Sequence, residues 1–175
     1  MLPDDNFTTG GDDMTTITHA DIFAEVRAYL LGLFSCPSLT IIQNYRQGMA
    51  LSDQAIVMSI LSEQALDVAA NYYQPATNKV YVQQSVEIKM LIDFYGEAAA
   101  DRALKLCNLW QNVYSTEHLR YCQPLYCLNP KFVADTKQSE ITGQYWQVEL
   151  TLQYNPEFEL DQTYLGMPEI TLTKP

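Results

Sequence analysis

"VYVQQSVEIKMLIDFYG", residues 80–96, followed at once by "EAAADRALKLCNLWQNVY", residues 97–114, is the stretch that decides the fold. Up to Gly96 apolar and polar side chains alternate. Val86, Ile88, Met90, Ile92 and Phe94 share one face, and Glu87, Lys89, Leu91, Asp93 and Tyr95 share the other. Strict alternation over this length predicts a strand of an antiparallel sheet covered on one side only. The run exceeds the usual five or six residues of a strand, so its first half is expected to leave the domain as a hairpin arm. After Gly96 the period changes to that of a helix. Ala99, Ala103, Leu106, Trp110 and Val113 form its apolar stripe, and Glu97 and Asp101 sit where the helix dipole favours negative charge. Asp101 and Lys105 are spaced to pair one turn apart. A helix that directly follows a one-sided strand folds back over it as its cover.

The segments on either side extend this frame. "THADIFAEVRAYLLGLF", residues 18–34, reads as a second covering helix. Thr18 and Asp21 form a capping box, Ile22, Val26, Tyr29, Leu30 and Leu33 form the stripe, and Gly32 with Cys36-Pro37 ends it. "LTIIQNY" and "AIVMSILSEQAL" read as strands, the second buried at its start and exposed at its end. "DVAANYYQPATNK" reads as a connection, with turn signals at Gln74-Pro75 and Asn78. "STEHLRYC" is a short helix or turn, and "PLYCLNPKFVAD" a strand broken by Pro130. "QYWQVELTLQYN" is the last strand, with Trp146, Val148, Leu150 and Leu152 on its apolar face. The expected fold is α+β: an antiparallel or mixed sheet of about four or five strands with two helices on one face. Residues 1–15 read as a flexible acidic arm, 16–156 as a single domain and 157–175 as an extension. Such an extension lies along its own domain or adds to a neighbour's sheet edge.

The formal net charge is −11 over 175 residues, and it is unevenly placed. Residues 1–25 carry −6, residues 155–175 carry −3, and the remainder only −2. No cluster of Lys and Arg is present to grip phosphates, which argues against tight DNA binding; like charge lets DNA pass nearby without sticking. No apolar run approaches the ~20 residues of a membrane span, and the first residues lack a secretory pattern, so the expected compartment is the cytoplasm.

Candidate chemistry is sparse. Cys36 and Cys107 sit among apolar neighbours, as buried small hydrophobes do. His118, Cys122 and Cys127 lack the two close ligand pairs that zinc needs. Glu87 and Asp93 lie on one strand face and could be offered as paired carboxylates, but charges alternating along a strand face solvent or a partner. His19 and His118 lie in no motif with a nucleophile, and Gly96 lacks the basic partner of a phosphate-binding turn. No catalytic, cofactor-binding or metal residue is assigned.

Four short motifs in fixed order carry a resemblance: Asp93 to Gly96 (D-F-Y-G), Leu109-Trp110, Pro124 to Cys127 (P-L-Y-C), and Gln153 to Pro156 at the end of the last strand. Over roughly residues 40–170 the chain resembles the phage neck or tail-terminator family. Glu97 departs from that pattern, where the family often has proline; both suit a first helical position. The acidic residues before the first helix have no counterpart in it. The resemblance implies a structural virion protein: a homo-oligomeric ring, usually of six copies, at the head-proximal end of a tail. There it would stop growth of the tail tube and meet the head connector, with no cofactor and no catalytic residue. Two alternatives stand beside it, a head-completion or minor tail protein and a small cytoplasmic enzyme or ligand-binding domain.

Overall fold

The computed structural model describes residues 16–35, 41–43, 52, 54–134 and 145–161. The expected acidic arm at 1–15, Cys36-Pro37 and the end of the chain after 161 lie outside them. The elements in chain order are α1 (His19–Phe34), β1 (Ile41–Gln43), β2 (Ile56–Ala65), β3 (Ala70–Gln74), β4 (Lys79–Gln83), β5 (Val86–Tyr95), α2 (Ala99–Trp110), α3 (Val113–His118), β6 (Cys122–Cys127), β7 (Lys131–Val133), β8 (Tyr145–Tyr154) and β9 (Glu157–Asp161). A main sheet runs β1-β2-β5-β8-β6, with β7 also on β8; a second sheet runs β3-β4-β9. Among the described residues only β1 pairs in parallel, so the main sheet is mixed. The α+β class holds, with more strands than the sequence suggests.

Both covering helices lie on one face of the main sheet. The alternation in β5 is realised as read: Val86, Ile88, Met90, Ile92 and Phe94 are buried, opposite Tyr154, Leu152, Leu150, Val148 and Trp146 of β8. The α1 stripe and Ala99, Ala103, Leu106 and Trp110 of α2 close over them. Tyr29 meets Trp110 edge-on at 5.7 Å between ring centres, and Phe34 meets Phe94 at the same distance. Trp110 is fully buried, and its indole N–H donates to the Thr151 carbonyl at 3.1 Å. This is the partner a buried indole requires.

Local signals explain the helix ends, with three corrections. The capping box is present: Asp21 N–H donates to the Thr18 hydroxyl oxygen, and Thr18 N–H donates to the Asp21 carboxylate at 2.8 Å. These bonds hold the Asp21 carboxyl below its ordinary pKa. Gly32 does not end α1; Ser35, in the left-handed region at φ 48°, does. The helix after Gly96 stops at Trp110, and Val113 opens α3 and is 67% exposed, off the stripe it was expected to complete. The cause is Asn112, whose side chain accepts the Tyr114 N–H and caps a new helix. Lys105 donates to the Leu33 carbonyl at 2.9 Å and sits over Phe34, tying α2 to α1 where a pairing with Asp101 was expected. Gly96 has φ 92°, which a side chain disfavours, and this lets the strand turn abruptly into its own cover.

The Glu25 carboxylate of α1 accepts backbone N–H groups of Arg120, Tyr121 (2.9 Å) and Cys122 (3.2 Å), clamping α1 to the start of β6. His19 Nε2 lies 2.7 Å from Glu63, which also accepts the Tyr154 hydroxyl at 2.7 Å, so the start of α1 is joined to β2 and β8.

Candidate assembly surface

The pairing of β4-β5 with β8-β9 keeps a single register from end to end. Tyr95 opposes Tyr145, Val86 opposes Tyr154, Gln83 opposes Glu157 and Lys79 opposes Asp161, with no slip where one sheet gives way to the other. The two sheets are therefore one long two-stranded ribbon whose far end carries β3 as a third strand. The expectation that the first half of the 80–96 strand leaves as a hairpin arm is met: its β4 half pairs outside the main sheet.

The arm's third strand, β3, falls in the segment expected to be a connection. "NYYQ" and "KVYVQ" flank a four-residue turn, Pro75 to Asn78, and the left-handed Asn78 (φ 57°) closes it. Two runs rich in aromatic and β-branched residues around a short turn are a hairpin signal, and it is present in the sequence. The root of the arm is braced by Asp67, whose carboxylate accepts the Ser85 N–H at 2.9 Å and hydroxyl at 2.8 Å, while Gln84 donates to the Asp67 carbonyl at 2.9 Å. The first residues of the expected extension, 157–161, lie along this chain's own β4 as β9.

The two faces of the arm differ. On one, Tyr72 stacks on Tyr81 (5.2 Å between centres) and donates to Glu157 at 2.7 Å, while Lys79 pairs with Glu159. That face is self-satisfied. The other face holds Tyr73, Val80 and Leu160 in one row and Asn71, Val82 and Phe158 in the next. By alternation it continues the face that the helices cover in the main sheet. Here Tyr73, Phe158 and Leu160 are 45%, 54% and 53% exposed. The apolar stripe of the ribbon outruns its cover.

The residues weighed for chemistry are dispersed. Glu87 accepts the Gln64 amide at 3.1 Å, and Asp93 accepts the Gln147 amide at 2.9 Å. Six residues of strand separate them by roughly 20 Å, too far to share a reacting group. Burial raises the Asp93 pKa. His118 Nδ1 donates to the Tyr114 carbonyl at 2.7 Å. Cys122 lies against Glu25, whereas Cys107 lies beside Cys127 and the Leu128 carbonyl; burial pushes the thiols of Cys122 and Cys127 well up. Cys107 is half-buried, more open than expected. Among the described residues no group of three His, Cys, Asp or Glu side chains is placed to hold a metal ion, and no helix is long and apolar enough to cross a membrane. A cleft of about 380 Å³ beside β6 is lined in part by Arg120, Cys122, Gln153 and Asn155; the Cys122 thiol donates to the Glu25 carboxylate at 3.3 Å, and burial favours its protonated form.

Comparison with known proteins bears on this surface. No curated protein matches the chain. Among solved structures, the sheath/tube terminator of an extracellular contractile injection system in its extended state is similar, with a TM-score of 0.56 at 12% identity. The alignment covers 93% of this chain and 65% of that one, so this chain spans less than two thirds of its neighbour's length. The likeness is one of fold. A chain of a native gene transfer agent virion aligns over 78% of this chain and 92% of that one at 12% identity, with a TM-score of 0.34, too low to support an argument. The profile of the phage neck terminator protein family matches residues 20–174, which takes in the helices, the main sheet and the arm. With a match over that span, the resemblance first seen in four short motifs becomes membership: the chain belongs to the phage neck terminator family.

Proposed function

We propose that this neck terminator is a non-enzymatic virion protein that assembles in the host cytoplasm into a closed ring, of six copies, at the head-proximal end of a phage tail. There the ring terminates the tail tube and meets the head connector. Family membership supports the place in the virion. The observation that carries the ring is the arm: a braced, three-stranded extension with an apolar face that its own helices leave uncovered. Scattered exposed apolar side chains are ordinary, but a contiguous set on one rigid face marks a contact. Subunits that meet through two different surfaces close into rings when the rotation allows. The chain's −11 charge suits a lumen through which DNA passes without binding.

The test is tail assembly in a host that lacks this chain. Tubes of uncontrolled length without heads, returned to normal length by the added protein seated at one tube end in electron micrographs, are the expected result. Normal joined tails in its absence would overturn the reading.

A further inference from the structure

We infer that Cys107 of α2 and Cys127 at the end of β6 are a site of disulfide formation within one chain, closed by a small-molecule disulfide when the chain leaves reducing surroundings. The site is separate from the ring reading above and stands or falls without it.

The two thiols converge on one oxygen. Cys107 Sγ donates to the Leu128 carbonyl at 3.6 Å, and Cys127 Sγ reaches the same oxygen at 3.4 Å. Cys107 Sγ also lies 3.9 Å from the carbonyl oxygen of Cys127 itself, and the two thiols are within hydrogen-bond reach of each other. Leu128 is fixed to the main sheet, its N–H donating to the Glu149 carbonyl at 2.9 Å. Both cysteines are half-buried, so a small reagent reaches them. Cys122 is buried and turned to the Glu25 carboxylate at 3.3 Å, which leaves Cys107 as the thiol beside Cys127. A bond of about 2.05 Å needs the two sulphurs to turn from their shared oxygen toward each other.

The chemistry balances as two exchanges. Burial and the adjacent Cys107 thiol push the Cys127 thiol up, so Cys127 is the poorer first nucleophile. Cys107 loses its proton to water and attacks one sulphur of the small disulfide; the other sulphur leaves as a thiolate and takes up a proton. Cys127 then attacks the Cys107 sulphur of this mixed disulfide, gives up its proton and releases the second small thiol. Two thiols of the chain are oxidised, and one small disulfide is reduced to two thiols.

In a reducing cytoplasm the pair stays as the dithiol. Closed, it ties α2, the lid of the β5 half, to β6 at the end of the main-sheet path, around a loop that holds α3. The bridged residues are 20 apart in sequence. Closing a loop of that size restricts the unfolded chain and should raise the melting temperature by roughly 5–10 °C.

The probe is oxidised glutathione, added to the purified full-length chain in buffer and in urea, with remaining thiols then alkylated. In buffer the expected product is a chain two hydrogens lighter, with a 107–127 link in its peptide map made without reductant. Its melting temperature rises as above and falls back with dithiothreitol. Cys127→Ser should stop at the glutathione adduct on Cys107, an intermediate that the parent chain passes through. Persistent adducts or free thiols at 107 and 127 in the folded parent, a 107–127 link that forms only in urea, or links to other cysteines or between copies would each overturn the proposal. If Cys127→Ser does not fold, the peptide map of the parent decides by itself.

Discussion

The two halves of the ribbon share a register and an alternation and differ in what covers them. Along β5 and β8 the stripe of Ile88, Met90, Ile92, Leu150 and Leu152 is fully buried under α1 and α2. Along β4 and β9 the same stripe continues as Val80, Val82, Phe158 and Leu160, and half of Phe158 and Leu160 meets water. Apolar patterning therefore marks where a strand is meant to be covered, but not by which chain. One half is covered within the subunit; the other meets water. The polar faces show the same division. In the arm, Lys79 pairs with Glu159 and the Tyr72 hydroxyl donates to Glu157; in the main sheet, Lys89 and Glu149 lie 4.0 Å apart, a weak surface pair.

Substitutions along the ribbon should separate the halves. The largest effect belongs to the cover: Trp110→Ala removes a fully buried ring and the Thr151 hydrogen bond and should cost about 3–5 kcal/mol in denaturant unfolding. A loss under about 1 kcal/mol would mean that α2 is not the lid of the β5 half. Next, Ile88→Ala should cost about 2–4 kcal/mol. Glu25→Ala should cost about 1–2 kcal/mol, since it orphans N–H groups at the start of β6 that water partly reaches. Phe158→Ala, on the same ribbon face as Ile88, should change the free subunit by less than about 0.5 kcal/mol, as surface substitutions do. Equal losses at 88 and 158 would erase the distinction drawn here.

The smallest effect is a gain that depends on pH. Burial raises the pKa of Asp93, so its ionised form is less favourable folded than unfolded. The penalty is present above the folded pKa and disappears as pH falls through it. Asp93→Asn keeps an acceptor for the Gln147 amide and should raise the melting temperature at pH 7, with the advantage over the parent shrinking toward pH 3. A difference that does not vary with pH would show that packing, not charge, is responsible.

Much of the fold was legible because its signals are local. The capping box at Thr18, the switch of period at Gly96 and the alternation of β5 and β8 each depend on residues a few positions apart, and each is found as read. The misreadings share a cause. Val113 fits the α2 stripe in sequence because 3.6-residue spacing runs through Asn112, whose cap starts a new helix. "ANYYQ" looks like a connection in sequence because its partner β4 runs on without a break into the longer 80–96 alternation. Both are competitions between neighbouring patterns, which only packing resolves.

By itself, then, the sequence determined the class of fold, which faces are apolar, and a family resemblance carried by D-F-Y-G, L-W, P-L-Y-C and the closing N-P. Those depend on the order and spacing of side chains along the chain. Tertiary structure alone decided that one ribbon serves two sheets, that β9 joins β4, and that the helices stop short of the arm. Pairing partners lie about 80 residues apart across the β4–β9 ladder, and the reach of a helix over a sheet is set by where the chain returns. Hydrophobic burial has no direction, so a stripe says that it must be covered and leaves the choice of cover to geometry.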